Sequence, residues 1–315
     1  MANSRSSINE SNMDKKRIFR ATTSICHCLI ATAVALIGCS ASNDEPQPET
    51  HQADPNFHIY LCFGQSNMEG NAPVEAQDKE GIDSRFRVMS VVNEPLGSRG
   101  RKVGWWYKAT PPLCRYDTGL TPIDYFGRTL LTHLPDEVQI GVIVVGIGGA
   151  SIDAFDPSKC ENYYHSNLPV WTKSAMDAYN GNPYATLVAM GKKAQRSGVI
   201  KGILLHQGEA NNGDSTWPGR VATIYSSLLT DLGLKSNDVP LLVGEMLSKE
   251  EGGSCYAMND IIATLPQLIP NAHVVSSAGC EGRQDDHLHF TAAGYRLLGK
   301  RYAECLMSLD VWQDK

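Results

Sequence analysis

Two short segments of this 315-residue sequence carry the side chains that nucleophilic acyl transfer requires. Ser66 lies in GQSNM directly after an apolar run, and Asp286 and His289 stand three residues apart in DHLHF. A serine hydroxyl is a poor nucleophile until a histidine takes its proton, and the histidine needs a carboxylate to fix its tautomer. In a turn, this spacing lets Asp286 reach Nδ1 of His289 and leaves Nε2 for Ser66. The residues therefore predict a Ser66–His289–Asp286 triad, with a simple helix-capping role for Ser66 as the alternative.

Two further segments follow apolar runs and are rich in glycine or polar side chains. GIGGASID begins at Gly146, and HQGEAN begins at His206. Glycines let the backbone approach a ligand and offer unshielded N–H groups, Gln207 carries an amide donor, and Glu209 is an acceptor or base. Each segment also has a structural interpretation, as a tight turn or as a buried polar network. The histidines and Asp286 lack a third convergent ligand, and no G-x-G-x-x-G spacing is present, so we expect no metal and no cofactor.

The elements that position these segments follow from hydrophobic periodicity. Apolar runs at 58–63, 86–92, 138–145, 199–205, 239–246 and 272–277 alternate with amphipathic stretches. Helix starts are predicted at Asn182-Pro183, at Thr121-Pro122 and after Thr291. This alternation predicts an α/β three-layer sandwich, with a mostly parallel sheet and helices on both faces. Ligands bind at the carboxyl ends of strands in such sheets, which is where the four segments lie.

Taken together, the four segments resemble the SGNH hydrolases. The closer similarity is to the sialate O-acetylesterase-like branch, which includes the acetylxylan esterases of carbohydrate esterase family six. GQSNM, GGASI, HQGEAN and DHLHF resemble that family's four blocks in order, over about residues 57–309. The resemblance implies a flavodoxin-like fold with a five-stranded sheet. It also implies that Ser66 is the nucleophile, His289 the base and Asp286 the acid, with Glu209 as a second acid. The implied oxyanion hole is made by the N–H groups of Ser66 and Gly149 and the side chain of Gln207.

The resemblance implies a serine carbohydrate O-acetylesterase that acts on glycans such as acetylated xylan. A sialate O-acetylesterase is the alternative, and Arg101, Arg115 and Arg283 are then candidates to bind the sialate carboxylate. A non-catalytic surface glycan-binding lipoprotein is the alternative from another class. We expect substrate contacts from five polar or aromatic residues: Gln65, Asn67, Asn211, Trp105 and Trp106. Core packing is the alternative for the two tryptophans. The net charge of −6 does not indicate nucleic-acid binding, which requires a basic patch, and it fits a neutral substrate.

The first 56 residues have the composition of an export leader and a tether. Four basic residues in 15–20 precede a short apolar run, which indicates a signal peptide over 1–38, with an uncleaved membrane anchor as the alternative. The run ends in LIGC, which resembles a bacterial lipobox and implies lipidation of Cys39. Residues 39–56 are polar and Pro-rich, so they predict a flexible tether before an esterase domain over 57–315. We therefore expect an exported protein that contacts membrane only through lipid on Cys39, on the outer membrane of a Gram-negative bacterium, facing the periplasm or the cell surface.

Overall fold

The six apolar runs of the sequence form parallel strands in the computed structural model, which describes residues 52–309. One seven-stranded sheet has the order β3-β2-β4-β1-β5-β6-β7. Its strands are β1 Phe57–Gly64, β2 Phe86–Met89, β3 Trp106–Lys108, β4 Gln139–Gly146, β5 Val199–His206, β6 Leu241–Gly244 and β7 Ala272–Val275.

The expected count of five strands was too low. All six apolar runs form strands of the sheet, and the seventh strand is β3, which pairs antiparallel with β2 at one edge. Trp and Tyr favour strands, but β3 has only three residues in a segment rich in Gly and Pro, so it is too short for an alternating pattern to be recognised. The mostly parallel α/β architecture itself is confirmed.

Helices cover both faces of this sheet. The α-helices are α1 Ser66–Glu69, α2 Ala76–Lys79, α3 Pro122–Leu131, α4 Cys160–Tyr164, α5 Val170–Asp177, α6 Pro183–Ala194, α7 Trp217–Leu232, α8 Met258–Ile262, α9 Leu265–Leu268 and α10 Ala292–Met307. Short 3₁₀ helices span Ile152–Phe155 and Glu209–Asn211. None of the helices within residues 52–309 is long and apolar enough to cross a membrane.

Strand β1 shows why the sheet is covered on both sides. Ile59, Leu61 and Phe63 pack into one core cluster with residues of α6 and α7. Tyr60 and Cys62 point the other way, into a second cluster with α3 and α10. Successive side chains of a strand alternate between faces, so a run that is apolar throughout must be buried on both.

The predicted helix starts are confirmed by their caps. The side chain of Asn182 accepts a hydrogen bond from a backbone N–H of the first turn of α6, and Thr291 does the same for α10. Thr121 opens α3 with a capping box that includes Asp124. These caps satisfy N–H groups that have no partner inside the helix.

The carboxyl ends of the three central strands lie side by side. Gly64 at the end of β1 pairs with Gly146 of β4 and with His206 of β5. A Cβ atom on Gly64 would lie 2.0 Å from the His206 carbonyl oxygen, and one on Gly146 would lie 2.5 Å from Cα of Glu69. Glycine at these strand ends therefore allows the segment after β1 to pack closely against the edge of the sheet.

The predicted signal peptide, Cys39 and the predicted tether up to residue 51 lie outside the described residues. The fold that surrounds the site begins with β1 at Phe57, where the esterase domain was predicted to start.

Candidate active site

Ser66, His289 and Asp286 form a continuous chain of hydrogen bonds at this edge of the sheet. His289 Nε2 lies 2.7 Å from Ser66 Oγ, and His289 Nδ1 lies 2.8 Å from Asp286 Oδ2. Ser66 begins α1 directly after β1, and the other two residues lie in the loop before α10. The structure thus brings together the three residues predicted to form the triad, in the geometry that nucleophilic acyl transfer needs.

A tight turn holds the carboxylate against the histidine. Asp286 Oδ1 accepts the backbone N–H groups of Leu288 and His289, each at 2.9 Å. Burial alone would raise the pKa of Asp286, but these N–H groups and the His289 ring hold that pKa below its ordinary value. His287 makes the turn possible with a φ of 57°, and its carbonyl accepts the backbone N–H of Ser254. Histidine is among the residues that adopt this left-handed conformation most readily, so His287 has a structural role that its position as a spacer did not suggest.

Two backbone N–H groups lie where an oxyanion needs them. Ser66 is the first residue of α1, so its N–H has no partner within the helix. Gly149 has a φ of 71°, and its turn is held by a 2.8 Å hydrogen bond from Thr172 Oγ1 to the Gly148 carbonyl. Neither N–H has a protein acceptor within residues 52–309. Both are therefore available to bind developing negative charge.

The structure does not bring Gln207 into this group as a free donor. Its side chain is fully buried, and its amide nitrogen donates to Asn211 Oδ1 at 2.8 Å, to Gln65 Oε1 at 3.1 Å and to the Ala150 carbonyl at 3.2 Å. Its Oε1 accepts the indole N–H of Trp217, which fixes the orientation of the amide. Gln207 thus ties the strand ends together beneath the site.

Gln65 and Asn211, expected to contact substrate, belong to the same buried network. Gln65 Oε1 also accepts the backbone N–H of Ala210 at 3.2 Å, and Asn211 Oδ1 also accepts that of Ile152 at 2.9 Å. The side-chain oxygens of both residues therefore accept hydrogen bonds from protein partners. Their polarity is explained by the strand ends that they join, and the structure gives them no exposed face in a cleft.

Asn67 and Glu209 form a second buried group, behind the triad. Asn67 donates to Glu209 Oε1 and to the Leu288 carbonyl, the latter at 3.0 Å, and accepts the hydroxyl of Tyr295 at 2.6 Å. Glu209 has no hydrogen bond to His289. Burial raises the pKa of Glu209, although the Asn67 amide and the charge of His289 oppose this. Glu209 therefore reaches the loop that carries the triad histidine through Asn67, and Asn67 faces the protein rather than a substrate.

A family model supplies the decisive comparison with known proteins. The model described as "Carbohydrate esterase, sialic acid-specific acetylesterase" matches residues 56–308. The chain belongs to this family. It is therefore a carbohydrate acetylesterase, which confirms the predicted enzyme class and the predicted resemblance.

Solved structures show the same fold. A protein from Arabidopsis thaliana is 18% identical with a TM-score of 0.60, covering 81% of this chain and 99% of its own. NanS is 16% identical with a TM-score of 0.58, covering 83% and 99% respectively. A carbohydrate acetylesterase from Xanthomonas citri is 19% identical with a TM-score of 0.56, covering 82% of this chain and 56% of its own.

The two tryptophans expected to stack on sugar are not at the site of this esterase. Trp106 packs on Phe57 with ring centroids 4.8 Å apart, and its indole N–H donates to Ser197 Oγ at 3.3 Å. Phe57 begins β1 and Ser197 precedes β5, so Trp106 lies toward the amino edge of the sheet, opposite Ser66. Trp105 is half-exposed in the loop before β3 and does not line the clefts beside the nucleophile.

Two clefts of the esterase border Glu69, which lies on the same short helix as the nucleophile, and Arg115 lines both clefts as well. The first has a volume of about 620 Å³ and includes Gly148 and Trp171. The second has a volume of about 670 Å³ and includes Arg283. Trp171 had no signal in the sequence, because its segment lacks a strand-end motif and only packing places it beside Gly149.

The three arginines proposed to bind a sialate carboxylate are all engaged by the protein. Arg101 is buried and donates to backbone carbonyls, including that of Thr110 at 2.8 Å. Arg115 contacts two carboxylates, and so does Arg283. The pairs are Arg115 with Glu69 at 2.6 Å and Asp117 at 3.3 Å, and Arg283 with Asp285 at 2.6 Å and Asp286 at 3.5 Å. The surroundings of the nucleophile therefore hold more negative than positive charge.

Proposed function

We propose that this esterase removes acetyl groups from neutral glycans such as acetylated xylan. The observation that carries the proposal is the charge around Ser66, where each nearby arginine already contacts two carboxylates. A sialic acid brings a carboxylate of its own, which such surroundings repel unless an arginine is free to pair with it. A neutral acetylated sugar meets no such penalty.

The chemistry follows from the distances at the triad. Ser66 Oγ attacks the acetyl carbonyl carbon while its proton passes to His289 Nε2, and Asp286 stabilises the resulting imidazolium. The N–H groups of Ser66 and Gly149 bind the oxyanion of the tetrahedral intermediate. As the intermediate collapses, the bond from the acetyl carbon to the sugar oxygen breaks, and that oxygen takes the proton from His289 and leaves as a hydroxyl. Water, deprotonated by His289, then attacks the acetyl-enzyme to release acetate and regenerate Ser66.

A sialate O-acetylesterase remains the second candidate, because the family description itself names sialic acid-specific acetylesterases. The experiment that separates the two measures acetate release from acetylated xylo-oligosaccharides and from O-acetyl sialic acid with the same enzyme preparation. We expect a higher kcat/KM for the xylo-oligosaccharides. A higher kcat/KM for O-acetyl sialic acid would contradict the proposal.

We also propose that the protein is exported and held by lipid on Cys39 at the outer membrane, facing the periplasm or the cell surface. The support is the order of basic residues, apolar run and lipobox-like LIGC in the sequence. A lipid anchor of this kind would place the enzyme where large acetylated glycans are accessible.

A further inference from the structure

The first cleft beside the nucleophile has features that the acetyl-transfer chemistry does not use. Gly148 forms part of its floor, and a Cβ on Gly148 would lie 4.0 Å from the Ser66 Cβ. Its volume of about 620 Å³ falls within the ~300–1,000 Å³ usual for small-molecule sites. An acetyl group held at Ser66 would therefore leave the attached sugar facing this cleft.

One wall of the cleft is an exposed aromatic ring. Trp171 lies in the first turn of α5 and is 68% exposed, although it adjoins the buried edge of the sheet. Its indole nitrogen would lie 3.2 Å from a Cβ on Gly149. A large aromatic side chain left open to solvent beside a nucleophile offers an apolar face, and such faces commonly receive ligands.

A second part of the cleft lining is a carboxylate that the protein holds in place. Arg115 donates to Glu69 Oε1 at 2.6 Å and is itself fixed by the Gly146 carbonyl at 2.9 Å. The second oxygen, Oε2, would lie 3.0 Å from a Cβ on Gly148, so it borders the floor of the cleft. A fixed carboxylate accepts hydrogen bonds from sugar hydroxyls, and its charge opposes the approach of another anion.

We propose that this cleft binds the sugar rings of the acetylated glycan, with Trp171 as the stacking surface and Glu69 as the acceptor that selects neutral sugars over acidic ones. The proposal rests on the proposed neutral-glycan function and deepens it, because it assigns the selectivity to named side chains. Trp171 receives the apolar face of a ring, and Glu69 Oε2 accepts a hydrogen bond from a hydroxyl at its edge. A sugar that carries a carboxylate would be repelled by Glu69.

Trp171→Ala tests the stacking surface. We expect KM for acetylated xylo-oligosaccharides to rise by about tenfold through lost ring contact, with a much smaller effect on p-nitrophenyl acetate, which carries no sugar. Trp171→Phe should restore most of the affinity. Trp105→Ala is the matched comparison, since Trp105 is also an exposed tryptophan but lies outside the cleft. A rise in KM for Trp105→Ala with none for Trp171→Ala would overturn the assignment.

Glu69→Gln tests the selectivity, because it removes the charge and keeps an oxygen for Arg115. The ratio of kcat/KM for O-acetyl sialic acid to kcat/KM for xylo-oligosaccharide should rise by about five- to tenfold, the scale of one partly exposed charge contact. If wild-type enzyme prefers O-acetyl sialic acid, the proposed function fails. If it prefers the neutral substrate but Glu69→Gln leaves the ratio unchanged and Trp171→Ala leaves KM unchanged, the inference about the cleft fails alone.

Discussion

Replacing Asp286 with Asn should nearly abolish catalysis, because the turn around it dictates how the new amide points. Asp286 Oδ1 accepts two backbone N–H groups, whereas Oδ2 faces His289 Nδ1 at 2.8 Å. In Asp286→Asn, those two donors keep the amide oxygen at the Oδ1 position. The amide nitrogen must then face Nδ1, so the proton of His289 moves to Nε2. A protonated Nε2 cannot accept the proton of Ser66.

The loss expected for Asp286→Asn is about 10⁴ in kcat, the cost of a wrong histidine tautomer in a serine triad. At about 1.4 kcal/mol for each tenfold change, this corresponds to roughly 5.5 kcal/mol of transition-state stabilisation. Glu209 contacts Asn67 and has no hydrogen bond to His289. Glu209→Gln keeps an oxygen for Asn67, so we expect a loss of less than about tenfold, since the triad hydrogen bonds are left in place.

The assay is kcat on p-nitrophenyl acetate for both variants and wild type. Circular dichroism must show that each variant is folded before rates are compared. If Glu209→Gln were the more damaging substitution, the acid that serves His289 would belong to the loop after β5. The assignment of Asp286 would then be wrong.

Four further substitutions test other parts of the description. Ser66→Ala should remove esterase activity and leave the circular dichroism spectrum unchanged; activity near that of wild type would exclude the serine mechanism. Gln207→Ala should lower the free energy of unfolding in urea by about 1–3 kcal/mol, because it leaves the buried polar groups that bond to Gln207 without a hydrogen-bond partner. A fall in kcat of about 10²–10³ at unchanged stability would instead show that Gln207 contributes to the oxyanion hole. Burial raises the pKa of Asp124 to about 8. Protonated Asp124 therefore stabilises the fold fully below about pH 4, and this stabilisation is lost as the pH rises through 8. Asp124→Asn should therefore flatten the fall in urea midpoint between pH 5 and pH 8, and a parallel fall in both proteins would contradict this. Cys39→Ala should release the protein from the membrane fraction, and unchanged fractionation would rule out the lipid anchor.

The chemistry of the triad was readable from sequence because two local rules converge on it. Apolar runs locate the strand ends, and the short Asp286–His289 spacing keeps acid and base within one turn. The structure then places Ser66 beside them, because the strand that precedes it is central in the sheet. The same rules predicted the mostly parallel sheet and the caps of α3, α6 and α10.

The residues that contact the substrate could not be predicted from these rules. Gln65, Asn67, Asn211 and Gln207 were assigned to substrate or oxyanion because they flank strand ends. A polar side chain looks the same in sequence whether it meets a ligand or a buried partner. Trp106 and Trp171 show the same difficulty for aromatic side chains. Whether a tryptophan is exposed depends on packing between distant segments, and the periodicity of the sequence does not predict that packing.

The separation of Ser66 from His289 has a consequence for how the enzyme acquires activity. The two residues are 223 positions apart, so their contact requires closure of a long loop of chain. The Asp286–His289 turn can form locally, but it meets the serine only when α10 has packed beside α3 and β1 has joined β4 and β5. Recovery of esterase activity during refolding should thus lag behind recovery of helical signal, and it reports completion of the whole sheet.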